Sequence, residues 1–418
     1  MRAPTEKHLA TDRRRIEHAA TSTDPLAATG WLLCLFGAVL LPVLVARVGP
    51  FTVSDLSFAS GALCLALAPR RNSPTRSQGL GVALLLAALG VLACSLGSSS
   101  LSGSLLVGLR LLYVFSIWQW CLRAAIDNEG RALALVRAFL VGATLSSLAA
   151  VAEIAGHIDI PGTLVVFGRA SGLQGHPNGQ GGVLAVALPM AIALSLLVKN
   201  RAFGLVVSAA CVVGLILSGS VTGMIGATAG ILVILLTGKR KILKVILLVV
   251  AGWLVWLLVN NLDRFFPGAA SPLKRLADTT GNGVGDSTLQ SRILTDQFAW
   301  AHITANPFNG VGLAGTDGAT YDGRTLTHNL VLLAWYQGGI LVAAAIIASV
   351  VIAFIAAVRL SRNRGIGIGL VLLSGVVSAV IFSMTGPVLY DRWFWFPLLI
   401  AISLYAREQS TSLNRELR

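Results

Sequence analysis

Three side chains able to do polar chemistry sit among glycine, serine and asparagine in an otherwise apolar chain. Arg169 lies in Gly168-Arg-Ala-Ser-Gly172-Leu-Gln-Gly-His176-Pro-Asn178. Arg292 lies in Asp286-Ser-Thr-Leu-Gln-Ser-Arg292-Ile-Leu-Thr-Asp296-Gln-Phe-Ala-Trp300, and His328 in Thr327-His328-Asn329. Guanidinium forks hold phosphate oxygens two at a time. Flanking glycines let backbone approach a ligand, and a helix start offers unpaired N–H groups to phosphate. A helix dipole disfavours imidazolium at the same place, so His328 stays neutral and can accept a proton near pH 7. The pattern predicts a hydroxyl activated by His328 while Arg169 and Arg292 hold a diphosphate. Plainer readings stand beside it: headgroup contact for Arg169, a surface ion pair of Arg292 with Asp296, and an interfacial polar role for His328.

The elements that must position these residues are membrane helices. The chain has 418 residues, 55% hydrophobic and 12% charged, against about 25% charged in soluble domains. A spanning helix needs about 20 apolar residues. Twelve segments qualify: 25–47, 52–69, 79–98, 104–126, 131–156, 179–198, 202–218, 221–237, 242–260, 327–358, 366–388 and 393–406. The expectation is an all-α, polytopic integral membrane protein of about twelve transmembrane helices. It divides into a basic cytoplasmic tail 1–24, spans one to nine over 25–260, a large external loop 261–326, spans ten to twelve over 327–406, and a tail 407–418. The basic start resembles a leader, but the apolar run 25–47 is longer than a leader's core and is read as an uncleaved first span.

Charge sets the orientation. With a cytoplasmic N-terminus, every inside turn is basic and most of the 32 Lys and Arg residues lie inside, as the positive-inside rule requires. Both termini are then cytoplasmic, and the net charge of +14 reflects topology, with no nucleic-acid partner. The five cysteines lie in apolar segments, which gives no disulfide framework. All three chemical residues fall outside, together with the turn Ser218-Gly-Ser-Val-Thr-Gly223 and the pair Asp391-Arg392. Nucleotide donors are absent there, so group transfer needs a lipid-linked donor. The histidines lack ligand spacing and there is no Asp-x-Asp pair, so neither metal nor cofactor is expected. Arg110 lies about 9 Å inside its span, an expensive and often functional place for a cation. Asp55 is a rival general base.

These segments resemble the O-antigen ligase and O-antigen polymerase (Wzy-like) superfamily of bacterial membrane glycosyltransferases, over about residues 165–400. The matching stretches are Gly-Arg169-Ala-Ser-Gly through Asn178, Leu-Ser-Gly-Ser-Val-Thr-Gly, Ser-Arg292 through Trp300 with Asn306-Pro307-Phe-Asn-Gly310-Val-Gly312, and His328-Asn329 followed by Tyr336-Gln-Gly-Gly339. The resemblance implies a GT-C-like fold in the bacterial inner membrane, with the reaction centre on the periplasmic face. It implies transfer of a glycan from undecaprenyl diphosphate to an acceptor sugar hydroxyl, metal-independent and inverting. His328 would be the base and Arg169 and Arg292 the diphosphate clamp. Asn178, Asn329, Arg110, Arg324 and Arg392 are further candidates for substrate binding. Partners would be the lipid-linked donor, a glycan or lipid A-core acceptor, membrane lipids and other polysaccharide-export proteins. A polymerase joining lipid-linked repeats is the nearest alternative, and a lipid-glycan flippase or transporter the alternative of another class. One position departs: many members carry an arginine in the serine turn, where this chain has Val221. Arg110, Arg324 or Arg392 could substitute.

Overall fold

The computed structural model describes residues 24–48, 51–68, 78–197, 201–237, 252–253, 255–272, 288–314, 320–323, 325–364 and 367–416. The N-terminal basic tail, most of the expected span 242–260, the expected helix cap at Asp286 or Ser287, and Arg324 lie outside the described residues.

In chain order, α1 (Pro25–Leu40) is followed by β1 (Arg47–Val48), β2 (Phe51–Thr52), α2 (Val53–Leu67) and α3 (Gln78–Leu96). Next come α4 (Leu101–Ala125), α5 (Glu129–Ala155), α6 (Pro177–Leu197), α7 (Ala202–Ser218) and α8 (Val221–Leu236). After the short α9 (Leu262–Phe265) follow α10 (Thr288–Ala305), α11 (Leu330–Arg364), α12 (Ile368–Ser383) and α13 (Arg392–Glu416). Among the described residues the strands form one two-stranded antiparallel ribbon, Arg47 opposite Thr52. Helices α4, α5, α6 and α11 are long and apolar enough to cross a membrane; α1, α2, α7, α8 and α12 and the Leu80–Leu96 part of α3 are shorter apolar helices.

Local chemistry sets the helix ends. Asp24 caps α1 with Pro25 in its first turn, and Thr52 and Asp55 form a reciprocal capping box on α2, each satisfying N–H groups that a helix start leaves bare. The expected first span, 25–47, ends early: α1 stops at Leu40, just before Pro42, which disfavours helix at the residue preceding it, and Arg47 enters the ribbon instead. At the other end, α13 continues to Glu416, through most of the segment the sequence sets apart as a tail. Within α4, Val114–Trp118 form a π-turn.

Helix contact rests on small residues and buried aromatics. A side chain at Gly142 of α5 would overlap the Val39 carbonyl of α1, so these backbones meet directly, as packing between lipid-embedded helices favours. Trp393, Phe394, Trp395 and Phe396 at the start of α13 are wholly buried. Trp393 and Trp395 meet Phe382 of α12 and Phe115 of α4 edge to face, and Phe396 packs at a tilt on Phe139 of α5. Leu32, Leu63, Leu85, Leu109 and Ile225 stand exposed, the expected surface of helices whose solvent is lipid.

Helix α11 is not one rod. Gly339 holds φ +71° and ψ −178°, which breaks its first two turns from the rest. The break leaves carbonyls unpaired within the helix, and the segment after Pro307 takes them: Val311 N–H bonds Tyr336 O and Gly312 N–H bonds Gln337 O, both at 3.0 Å. The Trp335 indole returns a bond to Pro307 O at 2.8 Å.

Candidate active site

One end of the bundle gathers the candidate residues from four loops. Arg169 follows a tight turn in which Val166 and Arg169 exchange both backbone hydrogen bonds at 3.1 Å. The two residues between them, Phe167 and Gly168, have φ of +51° and +73°, the twist of a type I′ turn. Phe167 stands 90% exposed in a conformation costly to a side chain. Sequence reading expects Gly168 and Gly172 to make room for a ligand. The structure corrects this: a side chain at Gly168 would meet the Gly268 carbonyl and one at Gly172 the Ser146 carbonyl. The room is filled by the protein's own backbone, and Ala270 N–H bonds Gly168 O at 2.8 Å.

That turn delivers Arg169 inward. The guanidinium is buried; its Nε donates to Ser218 O at 2.8 Å and its Nη2 to Asn178 Oδ1 at 2.6 Å. Arg169 thus clamps the serine turn at the end of α7 to the first turn of α6. His176 adds a cap that sequence reading does not assign, its Nδ1 accepting from Asn178 N–H at 3.1 Å. Burial, and then Arg169, hold its pKa below the ordinary value, which keeps that nitrogen an acceptor.

Arg292 comes from α10, which ends ahead of Pro307 as the sequence predicts. Its Nη1 donates to Thr222 Oγ1 at 3.2 Å, and Thr385, after α12, donates to the same hydroxyl at 3.1 Å. Thr222 is the neighbour of Val221, where the family pattern expects an arginine. A guanidinium from the large loop thus reaches this turn in addition to that of Arg169. Further along α10, Asp296 receives the backbone N–H of His328, whereas Trp300 meets Trp335 edge to face.

His328 precedes α11 and is half-buried. Its Nδ1 is buried with no hydrogen-bond partner among the described residues. Burial first, then the positive charge of Arg292, lower its pKa to about 4, opposed by the backbone of Leu326, with His176 adding the smallest push downward. Asp296 moves the other way, raised by burial and held back by the His328 N–H and Arg292. Asn329 is committed to building the helix: Oδ1 caps Val331 and Leu332 N–H at 3.0 and 3.1 Å, and Nδ2 reaches Met384 O at 3.4 Å.

Glu153 is missed by sequence reading altogether. It looks like a stray acid near the end of an apolar helix, yet it is 5% exposed and grips the arginine loop. Oε2 accepts the N–H groups of Ser171 and Gly172 at 2.9 Å each, and Oε1 the Ser171 hydroxyl at 3.2 Å. The only available signal is its position, about seven turns from the Asn128 cap and facing the loop that carries Arg169.

Two candidates join a different group. Arg392 pairs with Asp55 at 2.6 Å, and Arg110 interacts electrostatically with those two residues and with Arg47 and Tyr390. Asp55, expected as a rival base, has both oxygens occupied by Arg392 and Thr52.

The geometry is thus a neutral imidazole beside the Arg292 guanidinium, with the Arg169 guanidinium on the adjoining serine turn and helix start, suited to an anionic ligand next to a proton acceptor. Residues 205–347 match the family model of the O-antigen ligases. This region is similar to the O-antigen ligases. It runs from α7 through the large loop into α11, taking in Thr222, Arg292 and His328. Arg169 and Asn178 precede it, so the structure, rather than the match, joins them to this region. The described helices are long and apolar enough for an all-α membrane protein. No curated protein matches the chain.

Proposed function

We propose that this protein is an O-antigen ligase-type glycosyltransferase of the bacterial inner membrane, GT-C-like, with about twelve spans and both termini in the cytoplasm. Glycan on undecaprenyl diphosphate is the donor, bound on the periplasmic face with its diphosphate between Arg169 and Arg292. His328 removes the proton from an acceptor sugar hydroxyl, whose oxygen attacks the anomeric carbon from the face opposite the leaving diphosphate and inverts it. The arginines stabilise charge developing on the diphosphate, which needs little further activation. Asn178 holds Arg169 in place, and Asn329 shapes the helix start behind the base.

The observation that carries the reading is the buried, unpartnered His328 Nδ1 beside the Arg292 guanidinium. A free imidazole acceptor next to bound cations is the arrangement that acyl or glycosyl transfer to a hydroxyl requires. The Arg169 clamp on the serine turn adds a second cation from a separate loop.

The test is transfer of a lipid-linked glycan to a lipid A-core acceptor by purified protein. His328→Ala is expected to lose activity by about 10²-fold or more, and wild-type transfer by that variant would end the assignment. Glycan profiling of a deletion strain separates acceptors: long lipid-linked polymer without attachment marks a ligase, single repeats a polymerase, and an unchanged profile turns attention to transport.

A further inference from the structure

The same end of the bundle carries a second concentration of charge that the reaction above does not use. Asp55 of α2 and Arg392 of α13 form an ion pair with side chains only 4% and 3% exposed. Asp55 accepts three bonds: Oδ1 from Arg392 Nε, and Oδ2 from the Thr52 N–H at 3.0 Å and hydroxyl at 2.9 Å. Arg392 gives Nη1 to Tyr390 O at 2.9 Å and lies over the Tyr113 ring, 5.9 Å from its centre. Its Nη2 is buried with no acceptor among the described residues. Arg110 of α4 interacts with Arg392, Asp55, Arg47 and Tyr390, and among the described residues its Nε is likewise buried with no acceptor. The hydroxyls nearby are taken, Tyr113 by Asp55 O at 2.7 Å and Tyr390 by Gln337 Oε1 at 3.2 Å. Asp391 is the remaining carboxyl among these arginines; burial raises its pKa to about 6, against the pull of Arg392, Arg47 and Arg110.

Three guanidiniums from three elements therefore meet two carboxyls, one of which already accepts three bonds. Two buried N–H donors on neighbouring arginines are stranded, which a low-dielectric setting makes costly. A single tetrahedral anion has enough oxygens to accept from both and to face Arg47 as well. Position favours an amphiphile, because Arg110 projects from a membrane-length helix about four turns from that helix's Ala125 end and near its Leu101 end.

We propose that Arg110 and Arg392, with Arg47 at the rim, bind the phosphate group of an amphiphile at a site distinct from the Arg169–Arg292 pair. A phosphorylated glycolipid and an anionic phospholipid share this chemistry. The inference goes beyond the donor reading and stands without it.

The test uses full-length protein in phosphatidylcholine nanodiscs, with Trp393 and Trp395 beside Arg392 as fluorescent reporters. The probes are a monophosphorylated disaccharide lipid, its dephosphorylated analogue, phosphatidylglycerol and farnesyl diphosphate. Wild type is expected to bind the phosphorylated lipid and not the analogue, and Arg110→Gln to weaken that binding about tenfold or more. Arg110→Lys should recover part of the loss. Gln in a span is cheaper than Arg, so the variant keeps its fold. Farnesyl diphosphate, reporting the other site, should bind Arg110→Gln as it binds wild type. Phosphatidylglycerol binding that depends equally on Arg110 supports the site and identifies its source as phospholipid. Equal binding of the dephosphorylated analogue, no change in Arg110→Gln, or equal loss of farnesyl diphosphate in that variant overturns the proposal. Failure of Arg169→Gln to weaken farnesyl diphosphate would sink the donor reading alone.

Discussion

At the residue scale, His328 is governed by its surroundings more than by its own chemistry. Burial and Arg292 lower its pKa to about 4, so the imidazole is neutral throughout the range in which cells work and protonates only as pH falls toward that value. The acid limb of kcat/KM, which reports free protein, should accordingly lie well below the ordinary histidine value of about 6.5. Arg292→Gln removes a neighbouring cation and should move the midpoint of His328 modification by diethyl pyrocarbonate upward. The move should be only partial, because burial is the larger cause. An unchanged or lower midpoint would contradict the electrostatic account. A bound diphosphate would act in the same direction as the substitution, making His328 a stronger base once donor is present. Glu153 gives a second prediction. Glu153→Ala strands two buried N–H groups, each costing about 1–3 kcal/mol, and should loosen the Arg169 loop; Glu153→Gln, which keeps an acceptor oxygen, should lose less. Thermal unfolding together with affinity for farnesyl diphosphate would check both.

At the element scale, the break in α11 and the segment after Pro307 depend on each other. The sequence shows Gly338-Gly339 and Asn306-Pro307 as separate glycine and proline signals, and the span 327–358 reads as continuous because its apolar pattern does not pause there. What the pattern cannot convey is that residues 310–312 enter the break and bond the freed carbonyls of Tyr336 and Gln337. Gly339→Ala forces a side chain into φ +71° and against the Phe308 carbonyl. The conformation alone costs about 1–2 kcal/mol, and the contact adds to it. Limited proteolysis should cut the 306–314 segment faster in this variant while the bundle persists; equal protection would show that the loop docks without the break. Because α10 leads directly into this segment, the same substitution should also weaken the seating of Arg292.

At the scale of the whole molecule, the charged and chemical residues separate to the two ends of the helices. Arg169, Thr222, Arg292, His328 and Thr385 are linked at one end. Arg131 pairs with Asp127 and covers Trp31, and Arg359 meets Tyr405, at helix ends of opposite chain direction. Cysteines introduced at the exposed Phe167 and Asp127 should thus label from opposite sides, Phe167→Cys in intact spheroplasts and Asp127→Cys only in inverted vesicles. Labelling of both from one side would refute the topology read from charge. Much of this arrangement follows from sequence alone. Apolar length sets where helices lie, the basic turns orient them, and the residue types Arg, Arg and His name the chemistry, because hydrophobicity and charge act through local composition. The partnerships came only with the tertiary structure. Thr222 meets Arg292 across 70 residues and Asp55 meets Arg392 across 337, separations over which no periodicity or spacing carries information. Membrane packing, made by small residues and backbone contacts, decided which guanidinium faces the imidazole and which is drawn into a buried ion pair.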